Sequence, residues 1–265
     1  VKRWIFVHCV SIALSAIVYS QTGILGALPR EIRILRNAMS SANEVSRAGH
    51  VFVTGKLQGK DVVIGASLYG KVNAAATAQL MITLLKVDRL VVTGVAGAID
   101  SELSPGDIVV STDVVQHDFG KWTESGFDVW EVPVTENDRL KFFKADTVLV
   151  RLIQKAAHGV HWIPLPIGST PRLPRVTSGR LATGDQFIAS QKKRAWIQEA
   201  LHASAVDMEG AAVAQVCFQN RIPFVILRSI SDFSDDAAED DYTRWADVVA
   251  ENSAKLVMAM LRLLN

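Results

Sequence analysis

The sequence predicts an α/β fold, a single domain with a central mixed β-sheet flanked by helices. Short apolar runs rich in Val and Ile alternate along the chain with longer segments of helical period. A chain of 265 residues, 49% of them hydrophobic, is also long enough to bury one large core. In chain order the elements are expected as strand Thr22–Gly26, helix Arg30–Met39, strands Val51–Leu57 and Val62–Ser67, helix Val72–Leu85, and strands Arg89–Gly94 and Asp107–Val115. Helix Asp146–Ala157, strand Arg180–Gly184, helices Gln191–Leu201 and Glu209–Gln219, strand Phe224–Ile230 and helix Tyr242–Leu264 complete the series. The small-residue stretches Ala74–Ala78 and Ala211–Ala214 let a helix lie close on a sheet. Two stretches without period are expected as loops. One runs from Asp118 to Asn137, where Trp122, Phe127 and Trp130 are candidates for a pocket wall or a subunit interface. The other runs from Trp162 to Pro174 and contains four prolines.

The first twenty residues differ from the rest. Lys2 and Arg3 precede an apolar run from Trp4 to Val18, with Val18 and Ser20 small enough to flank a cleavage site. This is the shape of a signal peptide at residues 1–20, with the folded domain at 21–265 and export to the periplasm or outside the cell. An uncleaved anchor is the alternative in which the protein touches the membrane, and a misassigned start would leave it cytoplasmic.

Composition narrows the function. The net charge is +1 and no block of like charges stands out, so nucleic acid is not an expected partner. Cys9 and Cys217 are far apart and make neither a metal-binding spacing nor a disulfide framework, so no metal is expected. The glycines at 23–26 and 94–97 lack the spacing of a dinucleotide loop, so no cofactor is expected.

The remaining candidates are carboxylates placed just beyond apolar strands. Glu31 follows Gly26-Ala27-Leu28-Pro29-Arg30, Glu209 follows Ala205-Val206-Asp207-Met208, and Asp232 ends the run that begins at Pro223. Ligands bind at the carboxyl ends of strands in open α/β sheets, so the three acids can converge on one crevice. Each taken alone is also explained by helix capping and the helix dipole, worth up to ~1 kcal/mol.

Seven segments recur in an order that resembles the 5′-methylthioadenosine/S-adenosylhomocysteine nucleosidases. They are Gly26 to Glu31, Gly70-Lys71-Val72, Thr93 to Ala98, Pro105 to Ser111, Thr183 to Ile188, Val206 to Glu209 and Arg228 to Asp232. The resemblance implies a nucleoside phosphorylase-type fold, a homodimer, and hydrolysis of an adenine nucleoside to adenine and a free ribose derivative. Asp232, held by Ser231, would be the general acid at purine N7, and Glu31 would activate water. Glu209 and the Met208 backbone would hold the ribose hydroxyls with Arg228 nearby, while Phe187 stacks on adenine and the Ile188 backbone reads its edge. Tyr69, Val95 and Tyr242 complete the expected substrate-binding set. Three alternatives share the scaffold: an aminodeoxyfutalosine nucleosidase, a purine nucleoside phosphorylase, and a non-catalytic nucleoside-binding or storage protein. A phosphorylase would need an Arg and a hydroxyl residue at the strand end that here reads Val92-Thr93-Gly94-Val95, so water is the expected nucleophile.

Overall fold

The structure, a computed structural model, describes residues 20–167 and 171–264. The expected leader lies outside the described residues except for Ser20, whose hydroxyl accepts from Arg89 Nη2 at 2.6 Å.

The first elements among the described residues are the fully buried strand β1 (Thr22–Gly26) and helix α1 (Pro29–Asn37). Pro29 occupies the first turn of α1, where its missing N–H costs nothing. Next come β2 (Ser40–Arg47), β3 (His50–Leu57), β4 (Lys60–Ala66), α2 (Lys71–Thr83), β5 (Arg89–Ala98) and β6 (Ile108–Gln116). Five short strands follow: β7 (Gly120–Thr123), β8 (Gly126–Val129), β9 (Val132–Pro133), β10 (Arg139–Leu140) and β11 (Phe143–Lys144). The rest is α3 (Thr147–Ala157), β12 (Val176–Thr183), α4 (Gln191–Leu201), β13 (Ala205–Asp207), α5 (Gly210–Asn220), β14 (Phe224–Asp232) and α6 (Ala238–Leu263).

The main sheet is mixed. Its strands run β11-β6-β12-β13-β5-β1-β4-β3-β2, and β14 pairs with both β5 and β6. That double pairing closes β5, β13, β12, β6 and β14 into a ring. Alternation along the central strands serves two cores. Leu25, Val63, Leu90 and Val92 face the cluster that contains Ala74 and Ala78 of α2 and Ala211 to Ala214 of α5. Ile24, Ile64 and Val91 face the opposite cluster, built with α1, α3 and α6. The small residues of α2 and α5 bring these two helices against each other.

Three expectations are corrected. The stretch 118–137, expected as a loop, contains the β7–β8 hairpin and β9; Trp122 and Phe127 pair across the hairpin with ring centroids 5.3 Å apart. β2 was not expected because Ser40–Arg47 is polar and contributes no buried side chain; among the described residues it pairs on one side only, with β3. β5 continues past Gly94 to Ala98, because its far end pairs with both β14 and the three-residue β13.

The proline-rich stretch is pinned to the start of β6. Asp107 is fully buried and accepts from Arg172 Nη2 at 2.7 and 2.8 Å, from the Arg175 N–H at 2.9 Å and from the Ser104 N–H at 3.2 Å. Its backbone carbonyl accepts from the Ile230 N–H at 2.8 Å, just before the end of β14. Asp107→Ala removes this set and is expected to cost about 3 kcal/mol, a fall in melting temperature of roughly 6–12 °C. A melting temperature within about 2 °C of the parent, on the same scale, contradicts that role.

Candidate active site

A cavity of about 300 Å³ lies where the C-terminal ends of β1, β13 and β14 meet the second half of β5. Glu31, Glu209 and Asp232 all line it, so the three acids singled out in the sequence converge. Tyr69, Val95, Phe187, Ile188, Met208, Ser231 and Tyr242 line it as well. Arg228 lies behind the wall, fully buried. Trp122, Phe127 and Trp130 are not among the lining residues; Trp122 is 74% exposed, and Phe127 packs on Trp122 and Trp196.

Each acid is held differently. Glu31 is the third residue of α1 and reaches back, its Oε2 accepting from the N–H groups of Ala27 at 2.6 Å and Leu28 at 2.8 Å. Its Oε1 accepts from the Val95 N–H at 3.3 Å, which ties α1 to β5. One oxygen therefore caps the helix and the other belongs to the cavity. Glu209 occupies the N-cap position of α5, yet its side chain makes no capping bond. Asp207 does that work, accepting from the Gly210 N–H at 3.2 Å, and this frees Glu209 to turn toward the site. There Glu209 Oε1 accepts from the Gly70 N–H at 3.1 Å and Oε2 from Arg228 Nη2 at 3.3 Å. Gly70 has φ +94°, a conformation that disfavours a side chain and aims its N–H at Glu209.

Asp232 owes its placement to a β-bulge. Along β14 the pairing with β5 slips between Ile230 and Asp232, so Ser231 is the extra residue and the strand end is re-aimed. Ser231 Oγ donates to Asp232 Oδ2 at 2.7 Å, and the Ser234 N–H donates to Oδ1 at 2.9 Å. Burial pushes the Asp232 carboxyl above its ordinary range, and Asp241 and Asp235 add to the rise, against the two hydrogen bonds.

Arg228 supplies the positive charge. Its Nε donates to Asp207 Oδ2 at 2.7 Å, and Asp207 Oδ1 accepts from Thr183 Oγ1 at 2.5 Å. A Cβ on Gly94 would fall 2.3 Å from Arg228 Nη1 and 2.9 Å from Glu31 Oε1, so only glycine leaves room for both groups. Arg228 Nη1 has no hydrogen-bond partner among the described residues. Desolvation works against the cation, but Asp207, Glu209 and Glu31 outweigh it and hold Arg228 above its ordinary value.

Sequence reasoning missed a clamp beside the cavity. Lys71 Nζ donates to Asp118 Oδ1 at 2.6 Å and the Lys71 N–H to Asp185 Oδ1 at 2.7 Å, while the Asp185 N–H donates to Asp118 Oδ2 at 2.8 Å. The clamp ties the start of α2, whose preceding Gly70 holds Glu209, to the segment that leads into Phe187 and Ile188. Asp207 was missed as well, although an Asp three residues before Gly210 at a helix start is a capping signal. Among the described residues no group of three or more His, Cys, Asp or Glu is placed to hold a metal ion.

Burial lifts the Glu209 carboxyl from 4.5 to about 7; Arg228 and the Gly70 N–H oppose the rise, and Asp207 and Glu31 add to it. A raised folded-state value means that the stability contribution is complete below pH 4.5 and is lost as pH rises through about 7. The parent protein is therefore expected to lose on the order of 3 kcal/mol across that window relative to Glu209→Gln, which does not titrate. Urea unfolding of both proteins from pH 4.5 to 8 checks it; parallel curves contradict it.

Comparison with known proteins establishes the family. The chain matches the Phosphorylase superfamily over residues 21–262. It is 33% identical over 248 residues to a 5′-methylthioadenosine/S-adenosylhomocysteine nucleosidase of Mycobacterium tuberculosis, covering 92% of this chain and 97% of the relative. A nucleosidase of that name from Colwellia psychrerythraea, solved with adenine, superposes with a TM-score of 0.80 at 34% identity, covering 92% of this chain and 95% of that one. A futalosine hydrolase from Helicobacter pylori superposes with a TM-score of 0.81 at 30% identity, covering 94% and 100%. The chain therefore belongs to the phosphorylase superfamily and, within it, to the 5′-methylthioadenosine/S-adenosylhomocysteine nucleosidase family.

Proposed function

We propose that the protein hydrolyses the N-glycosidic bond of 5′-substituted adenosines, of the 5′-methylthioadenosine and S-adenosylhomocysteine type, to adenine and a free ribose derivative. The observation that carries this reading is the convergence of Asp232, whose carboxyl burial raises above its ordinary range, with Glu31 and Glu209 in one cavity with an aromatic side wall. Adenine leaves poorly as an anion, so N7 must be protonated as the C1′–N9 bond breaks. Asp232 suits that step because burial makes it keep its proton to higher pH than a free aspartate.

The other groups fall into place around the sugar. Phe187, half exposed at the cavity wall, and the buried Ile188 flank the space for the base beside Asp232. Glu209, braced by Arg228 and the Gly70 N–H, accepts from the ribose hydroxyls next to Met208. Glu31 Oε1 takes the proton of the attacking water as its oxygen bonds to C1′. The bonding electrons of C1′–N9 pass into the purine, and the proton of Asp232 goes to N7. Positive charge that develops on the ribosyl ring is stabilised by Glu31 and Glu209.

The proposal includes a homodimer, supported by the exposed apolar side chains of Leu68, Tyr69 and Val72 beside the cavity mouth. It also includes export, supported by Lys2, Arg3 and the apolar run that follows.

Asp232→Asn tests the mechanism. The amide keeps the shape and loses the transferable proton, so kcat on 5′-methylthioadenosine should fall by roughly 10²–10⁴ with KM little changed. Retention of more than about a tenth of the parent rate, in a variant whose melting temperature shows it is folded, contradicts the assignment.

A further inference from the structure

One cation next to the cavity lining is not used by the reaction: Arg30 does not line the cavity itself but packs on Tyr242, which does. Arg30 stands next to Glu31 in the first turn of α1, and its guanidinium lies over the Tyr242 ring, 4.7 Å from the centroid. It donates through Nη2 to the Tyr242 hydroxyl, which lies 3.3 Å from the hydroxyl of Tyr69. Among the described residues Arg30 forms no ion pair. A guanidinium has five N–H donors, and here a phenol takes up one of its groups while no carboxylate answers its charge.

The position matters because of what lies further in. Four acidic residues, Glu31, Asp207, Glu209 and Asp232, line the cavity, and Arg228 behind it is already engaged by Asp207 and Glu209. An anionic substituent approaching such a site is repelled unless a cation stands where it emerges. Tyr69 and Tyr242 line the cavity, Tyr69 precedes Gly70, whose N–H holds Glu209, and Tyr242 also packs on Phe187, so the pair borders the rim between the proposed ribose and base positions, with Arg30 joined to it through Tyr242. Two hydroxyls beside a guanidinium add neutral and cationic donors to a cavity whose apolar wall includes Val95, Phe187, Ile188 and Met208.

We propose that Arg30, bridged by Tyr242 to Tyr69, is a specificity-determining residue that selects nucleosides whose 5′ substituent ends in a carboxylate. The inference rests on the nucleosidase reading and adds the chemical class of the 5′ group. A guanidinium holds a carboxylate through paired N–H donors, and the tyrosine hydroxyls hold the guanidinium in place.

The test compares S-adenosylhomocysteine with its carboxamide, which has nearly the same size and lacks the negative charge, and includes 5′-methylthioadenosine as a third substrate. The parent protein should favour the acid over the amide by about tenfold in kcat/KM, most of it in KM, as expected for a charge-assisted contact partly open to water. In Arg30→Met the ratio should fall to within about twofold, and Arg30→Lys should retain part of it. Added salt should shrink the ratio in the parent protein, a measurement that does not depend on any variant folding. Equal rates on acid and amide, a salt-independent ratio, or a ratio unchanged in Arg30→Met overturns the inference. If 5′-methylthioadenosine is cleaved in that experiment, the nucleosidase reading survives the loss; if none of the three substrates releases adenine, both fall.

Discussion

Burial of Arg228 is the constraint on which the site depends. A guanidinium taken fully out of water is costly unless its charge is answered by well-placed partners. Here Asp207 and Glu209 answer it, and each serves a second element in doing so. Asp207 also caps α5 and accepts from Thr183 at the end of β12, so β12, β13, β14 and α5 meet at one ion pair. Glu209 also accepts from Gly70, which fixes the entry to α2. Gly94 exists as glycine because Arg228 and Glu31 occupy the space its side chain would take. A single buried charge on β14 thus joins the ends of β12 and β13 to the starts of α5 and α2.

The same arrangement separates the two ends of the cavity. In the proposed reaction Glu31 and Glu209 face the ribosyl ring, their oxygens held by backbone N–H groups and, for Glu209, by Arg228, although burial still lifts Glu209 to about 7. At the base end Asp232 has no cation among its partners, and its two hydrogen bonds do not offset burial among acidic neighbours. Burial thus raises both Asp232 and Glu209, and what distinguishes them is their partners, a cation for Glu209 and only a hydroxyl and a backbone N–H for Asp232. The bulge at Ser231 matters as well, since a regular strand would carry Asp232 to a different side of the sheet.

Much of this was legible in the sequence, for physical reasons that also explain the gaps. Apolar runs such as Thr22–Gly26 and Phe224–Ile230 announce buried strands because both of their faces are covered, and the acids at their ends converge because strand ends do. β2 was not legible, since Ser40–Arg47 buries nothing and is a strand only through the N–H and C=O groups of β3. β13 is three residues long, too short for any period to show. The 118–137 stretch reads as loop because its strands are four residues or fewer and rest on aromatic pairs across the hairpin. Glu31 and Glu209 look alike in sequence, as acids at helix starts, and only the structure separates them: Glu31 caps with one oxygen, whereas Asp207 relieves Glu209 of capping altogether. The Lys71–Asp118–Asp185 clamp joins residues more than forty positions apart, and nothing local marks them as partners.

The nucleophile is where the account is most exposed. Val92 is buried in the core, Thr93 turns away to hydrogen-bond Ser253 at 2.6 Å, and Val95 presents an apolar side chain to the cavity, so this strand end presents no side-chain anchor for phosphate. Cleavage of 5′-methylthioadenosine in ¹⁸O-labelled water, with and without inorganic phosphate, tests this most directly. The account predicts one labelled oxygen at C1 of the free sugar and a rate indifferent to phosphate. An unlabelled sugar 1-phosphate, formed at a rate that rises with phosphate, would contradict it.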